Sequence, residues 1–348
     1  MITLEQGNLI KADVEALVNT VNTEGVMGKG IALQFKKAFP EMVASYEQAC
    51  ADKELLPGGL HIYERRELLN PRYIINFATK RHWREKSRIE YIECGLAQLV
   101  NVVREKGIQS IAIPALGCGN GGLDWNEVFP LIQHAFSTLS LNVLVYPPAN
   151  SPAPDSIVNQ TARPIMTLSR ANVLQVLHRY CDLGYPLTLL EVHKLLYFLQ
   201  EAGEPLKLRF QRHVYGPYAD NLRHVLHLFE GHFTQGFGDG RNSPDTPILL
   251  LPDALSEAES FISEQKEKNT DIAIRLDRVL NLIEGFESPY GMELLSTVHW
   301  SITHDGVNSN DLSELVNAIH RWNPRKKRIM KPEHIQIAWK HLQQTGWL

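Results

Sequence analysis

The stretch EALVNTVNTEGVMGKGIALQFKKAFP, residues 15–40, decides how the first part of the chain reads. EALVNTVN is short and mostly apolar, as a strand covered on both faces is. Three glycines follow within six residues, Gly25, Gly28 and Gly30. ALQFKKAFPEMVASYEQAC then reads as a helix. Strand, glycine loop and helix in that order open an α/β unit. Glycine amides ahead of a helix N-terminus make a place for an anion. An ordinary strand-to-helix turn has the same outline. The loop is not a Walker A, because no GK[ST] closes it, and it lacks the GxGxxG spacing of a dinucleotide fingerprint.

Working outward, GLHIY (59–63), RYIINFAT (72–79), IQSIAIPAL (108–116) and LNVLVY (141–146) are further strand candidates. SRIEYIECGLAQLVNVVREKG and DWNEVFPLIQHAFSTLS are helices between them. Ile89, Ile92, Leu96, Leu99, Val100 and Val103 line one face of the first, and Gly107 ends it. The alternation predicts an α/β fold with a mostly parallel sheet, and such sheets bind ligands at the carboxyl ends of their strands. A second glycine loop, PALGCGNGGLDW (114–125), follows one of these strands and leads into a helix. Two such loops in one α/β domain point to a phosphate or diphosphate site.

YPPANSPAPDSIVNQTARP (146–164) carries five prolines and reads as a linker. Beyond it the pattern becomes mainly α-helical, with eight helical stretches from ANVLQVLHRYCDLG to PEHIQIAWKHLQQTG. The expected domains are 1–148, a linker at 149–164, and 165–348. The charge is uneven. Residues 1–150 hold 15 Lys and Arg against 16 Asp and Glu, residues 151–320 hold 13 against 22, and residues 321–348 hold 7 against 1. The middle section is therefore acidic and suited to basic partners, and the tail is basic. No run of 18 apolar residues and no basic-then-apolar leader opens the chain at MITLEQGNLI, so no membrane partner is expected. Cys50, Cys94, Cys118 and Cys181 form no CxxC pair, which suits free thiols in a reducing cytoplasm. His224, His227 and His232 match no zinc spacing, and neither a metal nor another cofactor is expected.

QGNLIKADVEALVNTVN, then MGKGIA, then IAIPALGCGNGG resembles the macrodomain family through residues 1–148. That resemblance implies a mixed, largely parallel sheet between helices and an ADP-ribose site. Asn22 sits beside the distal ribose as a second catalytic residue whose amide orients the ribose or a water, though an asparagine at a strand end also caps turns; Gly28, Lys29, Gly30 and Ile31 form the ribose loop. Gly117, Cys118, Gly119, Asn120, Gly121, Gly122 and Leu123 wrap the diphosphate. Asn8 and Leu9 stand at the adenine end, where the family often has an aspartate instead of Asn8. FATK, ending at Lys80, resembles the branch that includes the terminal ADP-ribose glycohydrolases, in which a lysine here is catalytic. Such a lysine attacks C1″ of the opened ribose as a neutral amine, or stays charged and assists the leaving base. The branch also uses an aspartate in the second loop; the matching place here is Gly121, with Asp124 nearby.

KRHWREKSR (80–88) carries five cations against one glutamate, with Trp83 among them. Its ordinary role is the solvated start of a helix. Beside a reactive pocket, Arg81, His82, Trp83 and Arg84 are candidates to hold a phosphodiester backbone and stack a base. KLLYFLQEAGEPL…FQRHVYGPYADNLRHVL (194–226) resembles the SocA/Panacea-type antitoxin domains. Leu195, Leu196, Phe198 and Leu199 read as core, and YGPY as a turn stiffened by Pro217. The tail HRWNPRKKRIMKP reads by default as a solvated terminus, and otherwise as a nucleic-acid contact. Together the two parts resemble the DNA ADP-ribosyl glycohydrolase (DarG-type) antitoxins. The resemblance implies removal of ADP-ribose from thymidine bases of single-stranded DNA, and binding of a cognate DarT-type ADP-ribosyltransferase toxin by the second domain. The alternatives are a reader of ADP-ribose without turnover, and an antitoxin that acts only by sequestering the toxin.

Overall fold

The computed structural model describes residues 1–67, 69–149, 157–182, 184, 186–240, 243–265 and 269–348. The chain forms two compact units, Met1–Ala162 with Gly238–Arg241, and Arg163–Phe237 with Asn242–Leu348. Residues 150–156 of the expected linker lie outside the described residues. Its later part packs on the first unit: the Gln160 amide donates to the Lys37 carbonyl at 2.8 Å, and Val158 is half-buried against the same core.

The first unit is built on strands β1 (Ile2–Leu4), β2 (Ala16–Asn22), β3 (Leu60–Glu64), β4 (Tyr73–Lys80), β5 (Ser110–Pro114) and β6 (Asn142–Tyr146). Their order is β1-β6-β5-β2-β4-β3. Every pair is parallel except β3 with β4. The five sequence-predicted strands are all present. The short edge strand β1 was not expected, since three residues carry too little pattern to read.

Alternate residues of the central strands enter two cores, as the two-residue period requires. Ala16, Val18, Tyr73, Ile75 and Phe77 face α3 (Ile89–Lys106) and α4 (Trp125–Phe136). Leu17, Val21, Ile74 and Ala78 face α1 (Gly30–Ala38) and α2 (Val43–Ala51). The single helix expected over ALQFKKAFPEMVASYEQAC is therefore two. Pro40 lacks the amide that would continue α1 and starts a short 3₁₀ turn, Pro40–Met42, instead. The chain leaves β2 toward one face and leaves β4 and β5 toward the other. That divergence opens a crevice at the carboxyl ends of the three strands.

The second unit is mainly helical: α5 (Leu168–Asp182), α6 (Leu189–Glu201), α7 (Leu222–Phe229), α8 (Pro252–Glu264), α9 (Asn269–Ile283), α10 (Pro289–Thr303), α11 (Leu312–Trp322), α12 (Pro324–Ile329) and α13 (Pro332–Gln344). All eight expected helices form. α6 begins with a capping box: the Thr188 amide donates to the Glu191 carboxylate at 2.8 Å. Leu195, Leu196, Phe198 and Leu199 are buried in the core. Two features correct the sequence reading. Gly216, Pro217 and Tyr218 are not a turn but lie in a strand, β8 (Gly216–Ala219), paired with β7 (Phe210–His213). The turn falls one step earlier, at Val214 and Tyr215, and Gly216 takes a φ of 92° that favours glycine. The basic tail is folded and only partly solvated: Arg321, Lys327, Arg328 and Lys331 are exposed, but two of its cations are not. Within it α12 buries Lys326 completely, its Nζ donating to Glu293 at 2.7 Å and to Thr297 Oγ1 at 3.0 Å. Arg325 donates to both oxygens of Glu293, at 2.6 and 2.9 Å. Arg325 and Lys326 read as solvated because the sequence does not show the buried carboxylate, 32 and 33 residues upstream, that binds them. No helix among the described residues is long and apolar enough to cross a membrane.

Candidate active site

The crevice brings together the two glycine loops and the FATK lysine. β2 ends at Asn22 and β4 at Lys80, and a register shift at Val21 pairs these two residues directly. Beyond the strands the Thr23 amide donates to the Arg81 carbonyl at 2.9 Å, and Thr23 Oγ1 donates to it at 3.1 Å. On the other side, Lys80 Nζ reaches the Asn120 carbonyl at 3.5 Å, and the Ser87 amide donates to the Gly121 carbonyl at 2.9 Å. Residues 80–88 thus tie one loop to the other. Thr23 and Ser87, which the sequence reading did not single out, make these ties. No pattern marks them, because the bonds run between segments far apart in the chain.

Lys80 is half-buried and also donates to the Trp83 carbonyl at 3.3 Å. Among the described residues its amine has only carbonyl partners, and burial lowers its pKa from the usual lysine range. The neutral form needed for nucleophilic attack is correspondingly easier to reach.

Asn22 is buried, and its side chain is occupied by the loop that follows. Nδ2 donates to the Val26 carbonyl at 2.7 Å, while Oδ1 accepts from the amides of Glu24 at 2.9 Å and Val26 at 3.3 Å. Tyr46 donates its hydroxyl to the Asn22 carbonyl at 2.7 Å. The residue shapes the approach to Gly28, an Asx-turn role. Gly28 and Lys29 are exposed, and Gly30 (φ 63°) and Ile31 open α1.

In the second loop Leu123 donates its amide to the Gly117 carbonyl and Gly122 to the Gly119 carbonyl, both at 3.1 Å. Among the described residues, the amides of Gly119, Asn120 and Gly121 donate to no protein acceptor. Three successive free amides make a nest for an anion. Gly117 and Gly122 take positive φ of 71° and 77°. A Cβ on Gly121 would lie 2.2 Å from Ser87 Oγ and 2.3 Å from the Gly117 carbonyl oxygen, so no side chain fits there. Asp124 caps α4, accepting from the Asn126 amide at 2.9 Å. The Cys118 thiol is pushed up to about 11, chiefly by burial and then by Asp124, and is not a ready nucleophile at neutral pH.

At the adenine end, Asn8 caps the 3₁₀ turn Leu9–Lys11, its Oδ1 accepting from the Ile10 amide at 3.0 Å. Leu9 is core. Of the nucleic-acid candidates, Arg81, Trp83 and Arg84 are exposed, Trp83 at 40%. His82 stacks on its ring with centroids 5.2 Å apart, and the Arg84 guanidinium lies 4.4 Å from its centroid. Arg81 meets the first loop through its backbone and leaves its side chain exposed. Among the described residues, no group of three or more His, Cys, Asp or Glu is placed to hold a metal ion.

A family model described as Macro domain matches residues 18–132, which include both loops and Lys80. Over 349 residues the chain is 46% identical to a DNA ADP-ribosyl glycohydrolase of Thermus aquaticus, covering 100% of this chain and 94% of the relative. A DNA ADP-ribosyl glycohydrolase of Mycobacterium tuberculosis is 40% identical over 350 residues, with 97% and 98% covered. A DNA ADP-ribosyl transferase-DNA ADP-ribosyl glycohydrolase fusion protein of Thermosipho africanus is 36% identical over 169 residues, 44% of each chain.

Proposed function

Because the chain belongs to the DNA ADP-ribosyl glycohydrolase family, we propose that it removes ADP-ribose from thymidine bases of single-stranded DNA, with its chemistry at Lys80. One observation carries the reading: the half-buried Lys80 amine, without a carboxylate partner, touches the loop whose free amides suit a diphosphate. Holding the diphosphate in that nest fixes C1″ of the distal ribose against the amine, and such positioning supplies a large part of the rate gain. The first loop walls the ribose, with Asn22 setting its shape. As a neutral amine Lys80 attacks C1″, the bond from C1″ to the thymine nitrogen breaks and the base leaves with a proton; the ribose, opened as a Schiff base on Lys80, is then hydrolysed by water to free ADP-ribose and the regenerated amine. Arg81, His82, Trp83 and Arg84 receive the DNA strand. Since His82 and Arg84 already lie on Trp83, a base stacks there by displacing one of them.

Lys80→Ala is expected to keep ADP-ribose affinity and lose release of ADP-ribose from modified DNA by about 10²–10⁴-fold. Full activity in that variant overturns the assignment. A reader without turnover is the second reading, favoured by Gly121, where the related branch has an aspartate. Free ADP-ribose appearing when wild-type protein meets ADP-ribosylated DNA excludes it.

The second domain, 165–348, is proposed to bind a cognate DarT-type transferase. The relative that carries transferase and glycohydrolase in one chain supports the pairing. The excess of acids over bases in residues 151–320 suits a basic partner surface that otherwise takes DNA. Full-length Lys80→Ala should still neutralise the transferase when co-expressed in excess. Loss of that protection assigns the whole effect to the glycohydrolase.

A further inference from the structure

Ser87 stands at the centre of the loop staple, and its hydroxyl is unused. The residue is 6% exposed, and Oγ is buried without a hydrogen-bond partner among the described residues. A buried unpaired hydroxyl is costly and uncommon, and in native proteins it points to a ligand, a water or strain. Its surroundings favour an anion. The hydroxyl lies where the side chains of two loop residues would go, 2.2 Å from a Cβ built on Gly121 and 3.2 Å from one built on Gly117. The free amides of Gly119, Asn120 and Gly121 belong to the same loop. The Lys86 side chain comes within 3.9 Å of a Cβ built on Gly122. Helix α3 starts two residues later, and its N-cap, Arg88, makes no side-chain cap bond, so first-turn amides add to the positive field.

We infer that Ser87 is a ligand of the substrate's diphosphate, its hydroxyl donating to a phosphoryl oxygen held by the second glycine loop. The inference rests on the reading above that this loop holds the diphosphate of ADP-ribose. It also gives a reason for glycine at 117 and 121, because the serine occupies the space of both side chains. Ser87 binds ground state and transition state alike, so its loss raises KM and leaves kcat close to wild type.

The test uses the full chain and ADP-ribose as the probe. Titration calorimetry of Ser87→Ala should show affinity reduced roughly tenfold to a hundredfold, the range for a hydrogen bond to a charged group. Ser87→Cys fills the space with a weak donor and should lose affinity similarly. Without ligand, both should melt at or above the wild-type temperature, because an unpaired hydroxyl has been removed. For modified DNA, KM should rise by the same factor with kcat held. Wild-type affinity in Ser87→Ala overturns the inference. So does a loss of affinity accompanied by a lower melting temperature without ligand in both variants, which assigns the serine a packing role. If wild-type protein fails to bind ADP-ribose, the reading of the loop falls instead.

Discussion

Lys80 is placed for chemistry by what surrounds it. Among the described residues only the carbonyls of Trp83 and Asn120 meet its amine, and partial burial lowers its pKa. If the neutral amine is the reactive species, kcat rises with pH and levels at a pKa below 10.5. A rate flat or falling from pH 6 to 9 supports the charged role instead. Gly121 shows the opposite constraint. The related branch puts an acid here, yet Ser87 and the Gly117 carbonyl fill the space a side chain needs. Gly121→Ala should cost about 1–3 kcal/mol of stability through overpacking. It should also weaken ADP-ribose binding by displacing the nest. Denaturant melts and titrations on that variant check both, and unchanged values for both refute the close packing.

Helix α3 carries a similar demand at the scale of elements. A Cβ on Gly95 would lie 2.1 Å from Phe77 Cζ, and Phe77 is fully buried in the sheet. Glycine lets the helix settle onto β4, the strand that delivers Lys80. Gly95→Ala gains about 1 kcal/mol of helix propensity. It should still destabilise the first unit by about 1–3 kcal/mol, since the buried ring has little room to move. A melting temperature equal to or above wild type counts against this packing. The sequence made the long strands and helices legible because each buries a periodic apolar face. The glycine loops and Lys80 could be placed at strand ends as well, where such sheets bind, but a chemical role for Lys80 came only with the family resemblance. Less could be read where partners are distant. The job of Asn22 depends on backbone groups of its own loop, and that of Ser87 on Gly121. Lys326 looked solvated because Glu293 sits on another helix. Pro217 looked like a turn residue because the pairing of β7 with β8 carries no strong alternation.

For the molecule as a whole, buried neutral histidines set the response to acid. In the second unit His193 and His299 are both pushed down to about 3, in each case chiefly by burial. Lys194 and His213 add to the shift of His193, and His304 and Arg278 to that of His299. His299 Nδ1 lies 2.7 Å from the Tyr197 hydroxyl, and the His193 ring stacks on Tyr218 at 4.4 Å. In the first unit His61 is lowered in the same direction, mainly by burial, beside Asn76. The unfolded chain takes up these protons near pH 6.5, whereas the folded chain takes them up only at lower pH. The stability each histidine confers is therefore complete above about pH 6.5. It falls by about 1.4 kcal/mol per pH unit below that, until the folded pKa is reached. Lys194, buried and pushed to about 7, works in the same sense at higher pH. Its folded form sheds the proton that the unfolded chain keeps until about 10.5, so stability rises between those values. Urea melts of the full chain at pH 7.5 and pH 5 should show the second unit losing about 4 kcal/mol from its two histidines together. His299→Gln keeps a polar partner for Tyr197 and should remove about half of that loss. An unchanged pH slope in this variant means that His299 is not held neutral in the fold.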